Sequence, residues 1–163
     1  MKNAAAKQIF ENYITENLDS AYRFAYTYMK NRHDAEDVVS ESTLRALNAI
    51  GTLREPQYIK VWFYRIIANT SITFLKKQKR YINTDFSEQK FEEKPSFDDY
   101  SDIYLSDILD KLPEKYRIPL LLKICEGMST AEIAAVTGVN ENTVKTRVYT
   151  ALAKLRKETE EFI

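Results

Sequence analysis

The polar residues of this chain gather into three sets, and none of them is arranged for covalent chemistry. Asp34, Asp37 and Glu41 stand at i, i+3 and i+7 with Glu36 beside them, which on a helix makes an acidic stripe. Such a stripe either relieves the helix dipole and pairs Glu41 with Arg45 at i+4, or offers a docking face to another protein. Spacing alone leaves both open. Lys60, Tyr64, Arg65 and Asn69 fall near one side of a second run, beside Trp62 and a basic tail that includes Lys76. Cations interleaved with aromatics suit a single-stranded nucleic acid, whose bases stack and whose phosphates are neutralised, although the same aromatics also suit a helical core. Asn142, Thr143, Lys145, Thr146, Arg147, Tyr149 and Thr150 surround the front of a third run, and these types bond phosphates and base edges.

What accompanies these sets argues against catalysis. His33 is the one histidine and Cys125 the one cysteine, which removes His-based nucleophile schemes, an internal disulfide framework and multi-cysteine metal sites. There is no glycine-rich phosphate loop and no metal-ligand cluster, so the sequence calls for no metal, no cofactor and no enzyme activity. His33 reads as a surface residue. Cys125, among Leu121, Leu122, Ile124 and Met128, reads as a buried core thiol.

The elements that must position the three sets are all helical. An apolar share of 44% supports packed cores, while only 3 glycines and 29% charged residues point away from a turn-rich β fold. The first run covers roughly 5–30, with Ile9, Tyr13, Leu18, Tyr22, Ala25 and Met29 near helical period. Asp34 is the expected cap of a second helix reaching Ile50, with Ala35, Val39, Leu47 and Ile50 on its apolar stripe. After a loop from Gly51 to Gln57, a third helix from Tyr58 to about Lys79 carries Ile59, Trp62, Phe63, Ile66, Ile67 and Phe74 inward. A new helix begins at Leu112-Pro113, and Pro119 inside it should kink or break it, because proline removes the amide that pairs with the Lys115 carbonyl. Ser129 and Glu132 have capping-box spacing; the helix they open should end at Thr137-Gly138, and Asn140 should cap a last helix reaching about Glu160. The residues from Ser129 to Arg156 thus have the form of a helix-turn-helix, with Ile133, Val139, Val144 and Val148 inward and Ala134 at the close crossing.

Formal charge is +0, but the average conceals a pattern. Residues 1–84 hold 13 Lys/Arg against 8 Asp/Glu, residues 85–110 hold 2 against 9, and residues 111–163 hold 9 against 7. Two mildly basic blocks flank an acidic strip. Residues 83–102 are rich in Asp, Glu, Ser and Lys with Phe86, Phe91, Phe97 and Tyr100 interleaved, which is the composition of a linker. The expectation is an all-α protein of two small helical domains: 1–82 with three or four helices, an acidic flexible linker at 83–102, and a helix-turn-helix domain at 103–163. No stretch approaches the roughly 18 apolar residues of a membrane span, and Met1 to Lys7 lacks a signal peptide's apolar core, so a cytoplasmic location without membrane insertion is expected.

Assembled in order, six motifs resemble the extracytoplasmic-function sigma factors of bacterial RNA polymerase. They are Tyr22-Arg23-Phe24-Ala25; Asp34-Ala35-Glu36-Asp37-Val38-Val39-Ser40-Glu41-Ser42; Trp62-Phe63-Tyr64-Arg65-Ile66-Ile67-Ala68-Asn69; Leu112-Pro113-Glu114-Lys115; Glu126-Gly127-Met128-Ser129 leading into Glu132-Ile133-Ala134; and Gly138-Val139 through Val144-Lys145-Thr146-Arg147 to Leu155-Arg156-Lys157. The resemblance implies that Asp37, Ser40, Glu41, Thr43 and Leu47 dock on the clamp coiled coil of the polymerase largest subunit. It implies that the loop 48–58 and the helix with Lys60, Trp62, Tyr64, Arg65, Asn69 and Lys76 recognise and open the minus-ten element. Asn142, Thr143, Lys145, Thr146, Arg147, Tyr149 and Thr150 would read the minus-thirty-five duplex, the acidic linker would thread towards the RNA exit path, and an anti-sigma factor would hold the protein inactive. Ser40 stands where the family often has glutamine, Thr150 where many members have a basic residue, and Pro119 where the helix usually runs uninterrupted. The rival from another class is a self-sufficient helix-turn-helix regulator, which would bind its operator tightly without polymerase.

Overall fold

A computed structural model of the chain describes residues 2–82 and 107–160, and every regular element among them is helical. The chain divides into two compact units, Met1–Lys94 and Pro95–Ile163. The expected linker at 83–102 lies outside the described residues.

The first unit packs three long helices, α1 (Lys2–Met29), α2 (Arg32–Asn48) and α3 (Ile59–Ile82), each against the other two. Its centre is aromatic. Phe10 meets Phe63 edge-on at 5.1 Å, and Phe24 stacks on Tyr64 at 4.7 Å with the rings 9° apart. Edge-to-face and offset stacking satisfy the ring quadrupoles while burying large apolar area. α1 departs from helical geometry at Asn17 (φ −120°, ψ 20°), where the side-chain amide donates to the Tyr13 carbonyl at 2.9 Å. The inward face nevertheless runs on through it at helical spacing. Phe10, Ala21, Phe24, Ala25, Tyr28 and Met29 are buried, whereas Ile9 and Leu18, expected inside, lie at the surface.

The start of α2 also differs from expectation. The cap is Asn31, whose Oδ1 accepts from the Asp34 amide at 2.8 Å, and Asp34 is instead a buried residue of the first turn. Lys30 takes the left-handed conformation (φ 60°) that turns the chain from α1 into that cap. Two 3-10 turns, Ile50–Thr52 and Pro56–Tyr58, fill the expected loop, and Pro56 begins the second of them. α3 then starts at Ile59 with proline-free sequence and ends on Lys79 and Arg80, charges that suit a helix C-terminus.

The second unit has a helical turn at 107–110 followed by α4 (Glu114–Ile124), α5 (Thr130–Thr137) and α6 (Glu141–Glu160). Pro119 does not break α4, which continues through it to Ile124. Pro119 and its neighbours Ile118 and Leu120 are buried, so tertiary packing outweighs the lost backbone bond. The capping box at Ser129 is complete: Oγ accepts from the Glu132 amide at 3.1 Å, and the Glu132 carboxylate accepts from the Ser129 amide at 3.0 Å. Gly138 ends α5 in the left-handed region (φ 76°), and its amide donates to the Ala134 carbonyl at 2.9 Å. Asn140 Oδ1 then accepts from the Thr143 amide at 2.8 Å and caps α6. Ile133, Val136, Val144, Val148 and Ala151 form the seam between the two helices, with Val139 only half-buried. Cys125, expected in the core, is exposed just beyond α4, because the helix ends at Ile124 and turns away.

Candidate functional site

Three faces carry the residues singled out above. On α2, Asp37 and Ser40 are exposed and Glu41 is half-exposed, sharing one side of the helix. Glu41 receives Arg45 Nε at 3.2 Å, and Asp37 lies 3.4 Å from His33 Nε2. Thr43 and Leu47 flank that side half-buried, and the Thr43 hydroxyl donates to the Val39 carbonyl at 2.8 Å. Leu44 was not anticipated. It lies one turn beyond Ser40 and Glu41 on the same side of the helix and is 59% exposed. Its position at i+7 from Asp37 was the available signal.

α3 presents Trp62, Arg65, Asn69 and Lys76 along one stripe, since positions separated by three, seven and fourteen residues realign on a helix. Arg65, Asn69 and Lys76 are exposed. Trp62 is half-buried: its ring meets Phe10 edge-on at 5.8 Å, and its Nε1 donates to Thr52 Oγ1 at 2.9 Å, which ties the Ile50–Thr52 turn to the helix. Lys60 falls outside the stripe, with Nζ 5.8 Å from the Tyr64 ring centroid. Tyr64 corrects the sequence reading. It has no exposed surface and stacks on Phe24, so its ring belongs to the core and is closed to a base. Tyr58, 58% exposed at the head of α3, is the aromatic on this side that remains open.

On α6, Asn142, Lys145, Thr146 and Tyr149 form an exposed row, and Thr143, Arg147 and Thr150 flank it half-buried. Tyr149 is 77% exposed, more than any other large hydrophobic residue described. The Thr146 hydroxyl donates to the Asn142 carbonyl at 3.0 Å, leaving its lone pairs outward as acceptors. An α5–turn–α6 pair with its second helix bared in this way is a helix-turn-helix, and bare amide, hydroxyl and cationic tips are what base edges and phosphates require.

His33, Asp34 and Asp37 bring possible metal-ligand atoms within 4.8 Å of one another. Asp34 Oδ2 is already shared by Asn31 Nδ2 and Gln78 Nε2, each at 2.7 Å, so the group is held by bonds within the protein and carries no metal assignment. No helix of the described residues is long and apolar enough to cross a membrane.

The described residues thus form a three-helix unit with an acidic helix face and a unit with helix-turn-helix form. The family models for Sigma-70 region 2 and Sigma-70 region 4 match residues 13–81 and 102–155, respectively. The RNA polymerase sigma factor SigV of Bacillus subtilis (strain 168) is 41% identical over 155 residues, covering 95% of this chain and 93% of that protein. The ECF sigma factor SigW of the same organism is 28% identical over 160 residues, covering 86% of this chain and 83% of that one. The chain belongs to the RNA polymerase sigma factors, within their extracytoplasmic-function group. Its fold is shared with the sigma factor RpoE from Bartonella quintana, solved in complex with the anti-sigma factor NepR (TM-score 0.81, 21% identity, 93% of this chain and 96% of that one). It is shared also with CnrH, solved with the cytosolic domain of CnrY (TM-score 0.68, 21% identity, 98% and 97% covered).

Proposed function

We propose that the protein binds bacterial core RNA polymerase through the α2 face, opens the minus-ten element with α3 and its preceding turns, and reads the minus-thirty-five duplex with α6. Residues 1–82 carry the first two tasks and 103–163 the third. The protein works by binding and supplies no reaction of its own. Asp37, Ser40, Glu41, Thr43 and Leu47 dock on the clamp coiled coil of the largest subunit, with Leu44 adding apolar area among them. Lys60, Trp62, Arg65, Asn69 and Lys76 act on the melted strand, and Tyr64 supports them from the core. Asn142, Thr143, Lys145, Thr146, Arg147, Tyr149 and Thr150 contact the duplex. An anti-sigma factor covers these faces in the cytoplasm until a signal from the envelope or another stress releases them; the fold neighbour solved with the anti-sigma factor NepR supports that part of the reading.

The observation that carries the proposal is the division of labour within the first unit: acidic and polar groups line α2, cations and amides line α3, and the two helices pack directly. One test is transcription from a promoter library by core polymerase with and without the protein. Promoter-specific transcripts that require the protein are expected. Tight operator binding by the protein alone, with no stimulation of core, would instead make it a self-sufficient regulator.

A further inference from the structure

α2 and α3 touch through more than apolar side chains. At one end of α2, the buried Asp34 carboxylate receives Gln78 Nε2 from α3 and Asn31 Nδ2 from the α2 cap, each at 2.7 Å. Asn31 also donates to the Met29 carbonyl at 3.2 Å, so the end of α1 joins the same knot. Three turns further along, Arg45 stands between two partners: its Nε donates to Glu41 on the docking face and its Nη1 to Thr70 Oγ1 on α3 at 3.4 Å. Thr70 is fully buried, and its own hydroxyl donates to the Ile66 carbonyl at 2.7 Å. Thr70 follows Asn69, and Gln78 lies two residues beyond Lys76, so both clamps grip α3 beside residues of its proposed DNA stripe.

We infer that Gln78 and Thr70 are positioning residues for promoter opening: they lock the docking helix to the strand-opening helix, so that seating α2 on polymerase fixes where the α3 stripe points. Neither residue touches DNA or polymerase in this scheme. Apolar packing of two helices tolerates sliding by small amounts, whereas hydrogen bonds to a carboxylate and a guanidinium specify one register. The inference rests on the sigma-factor reading of the two faces.

The test uses full-length Gln78→Met and Thr70→Val, which keep volume and lose the clamp bonds, with Thr70→Ser as the conservative rescue. Three quantities are read: core affinity by fluorescence anisotropy, opening of a duplex promoter by permanganate reactivity, and transcription from a promoter already melted across the minus-ten element. Expected is core affinity within about twofold of the parent and duplex opening reduced about tenfold, the scale of one charge-assisted hydrogen bond. Transcription from the pre-melted template should be near the parent level, and Thr70→Ser should open duplex normally. Unchanged duplex opening in both variants would overturn the inference. So would equal losses on duplex and pre-melted templates together with weaker core binding, because that pattern means a loosened fold. If the parent protein itself fails to stimulate core polymerase, the sigma-factor reading has failed, and that result is distinct from either.

Discussion

Individual side chains in the first unit separate into those that hold the fold and those left for partners, and burial draws the line. Asp37 and Glu41 remain about half exposed although His33 lies beside the one and Arg45 pairs with the other. Exposed pairs of this kind contribute little to stability. Asp37→Ala and Glu41→Ala should therefore leave the melting temperature nearly unchanged while weakening core binding about fivefold or more, read by pull-down and anisotropy. The opposite case is Ser42 and Ser71, whose hydroxyls are buried without a hydrogen-bond partner among the described residues. Removing an unsatisfied polar atom of nearly the same size costs nothing. Ser71→Ala is expected to match or slightly exceed the parent in thermal unfolding, and an appreciable loss of stability would show that its hydroxyl is bonded after all. On α6, Asn142→Ala should relax sequence preference at one base pair, whereas Lys145→Ala should weaken binding evenly and flatten the salt dependence by about one contact; a holoenzyme binding series over promoter variants and salt distinguishes them.

Helix ends are where this sequence was most and least readable. The capping box at Ser129, the glycine stop at Gly138 and the Asn140 cap were legible because each is a local rule, satisfied by residues within four positions. Ser129→Ala should lower the stability of the second unit by about 1 kcal/mol, and Gly138→Ala by about 1–2 kcal/mol through left-handed strain, both measured by denaturant unfolding. Other ends obeyed non-local causes. Asp34 looked like a cap, but Gln78, 44 residues away, draws its carboxylate inward and leaves capping to Asn31. Pro119 looked like a break, yet burial holds the helix together. The Asn17 interruption in α1 has no sequence signature strong enough to announce it, and of the adjacent apolar pair Ile9 and Phe10 it is Phe10 that the core takes. The candidate faces were read more fully. Their helical phase was visible from spacing with two exceptions on α3: Lys60 falls off the stripe, and Tyr64 is an aromatic whose type suits a core and a base stack equally well.

Across the whole molecule, charge distribution governs how freely the protein meets DNA. Formal charge is +0 with the excess acid concentrated at 85–110, between the blocks that carry the proposed DNA faces. The free protein should bind duplex weakly and lose what affinity it has as salt rises, since few phosphates are neutralised. Replacing Glu92, Glu93, Asp98 and Asp99 with their amides removes four negative charges and leaves every residue of the proposed DNA faces unchanged. That variant should bind random duplex more tightly than the parent in a low-salt anisotropy titration, and identical isotherms would mean that the acidic strip exerts no long-range repulsion. Specific recognition would then belong to the holoenzyme, where polymerase supplies the rest of the contact.

Cys125 has a practical consequence. It is the chain's one thiol and it sits at the surface just beyond α4. A single maleimide dye will therefore mark each molecule at one known atom, with no cysteine to remove first. Such a tag would report when this end of the protein arrives at a promoter and when it departs.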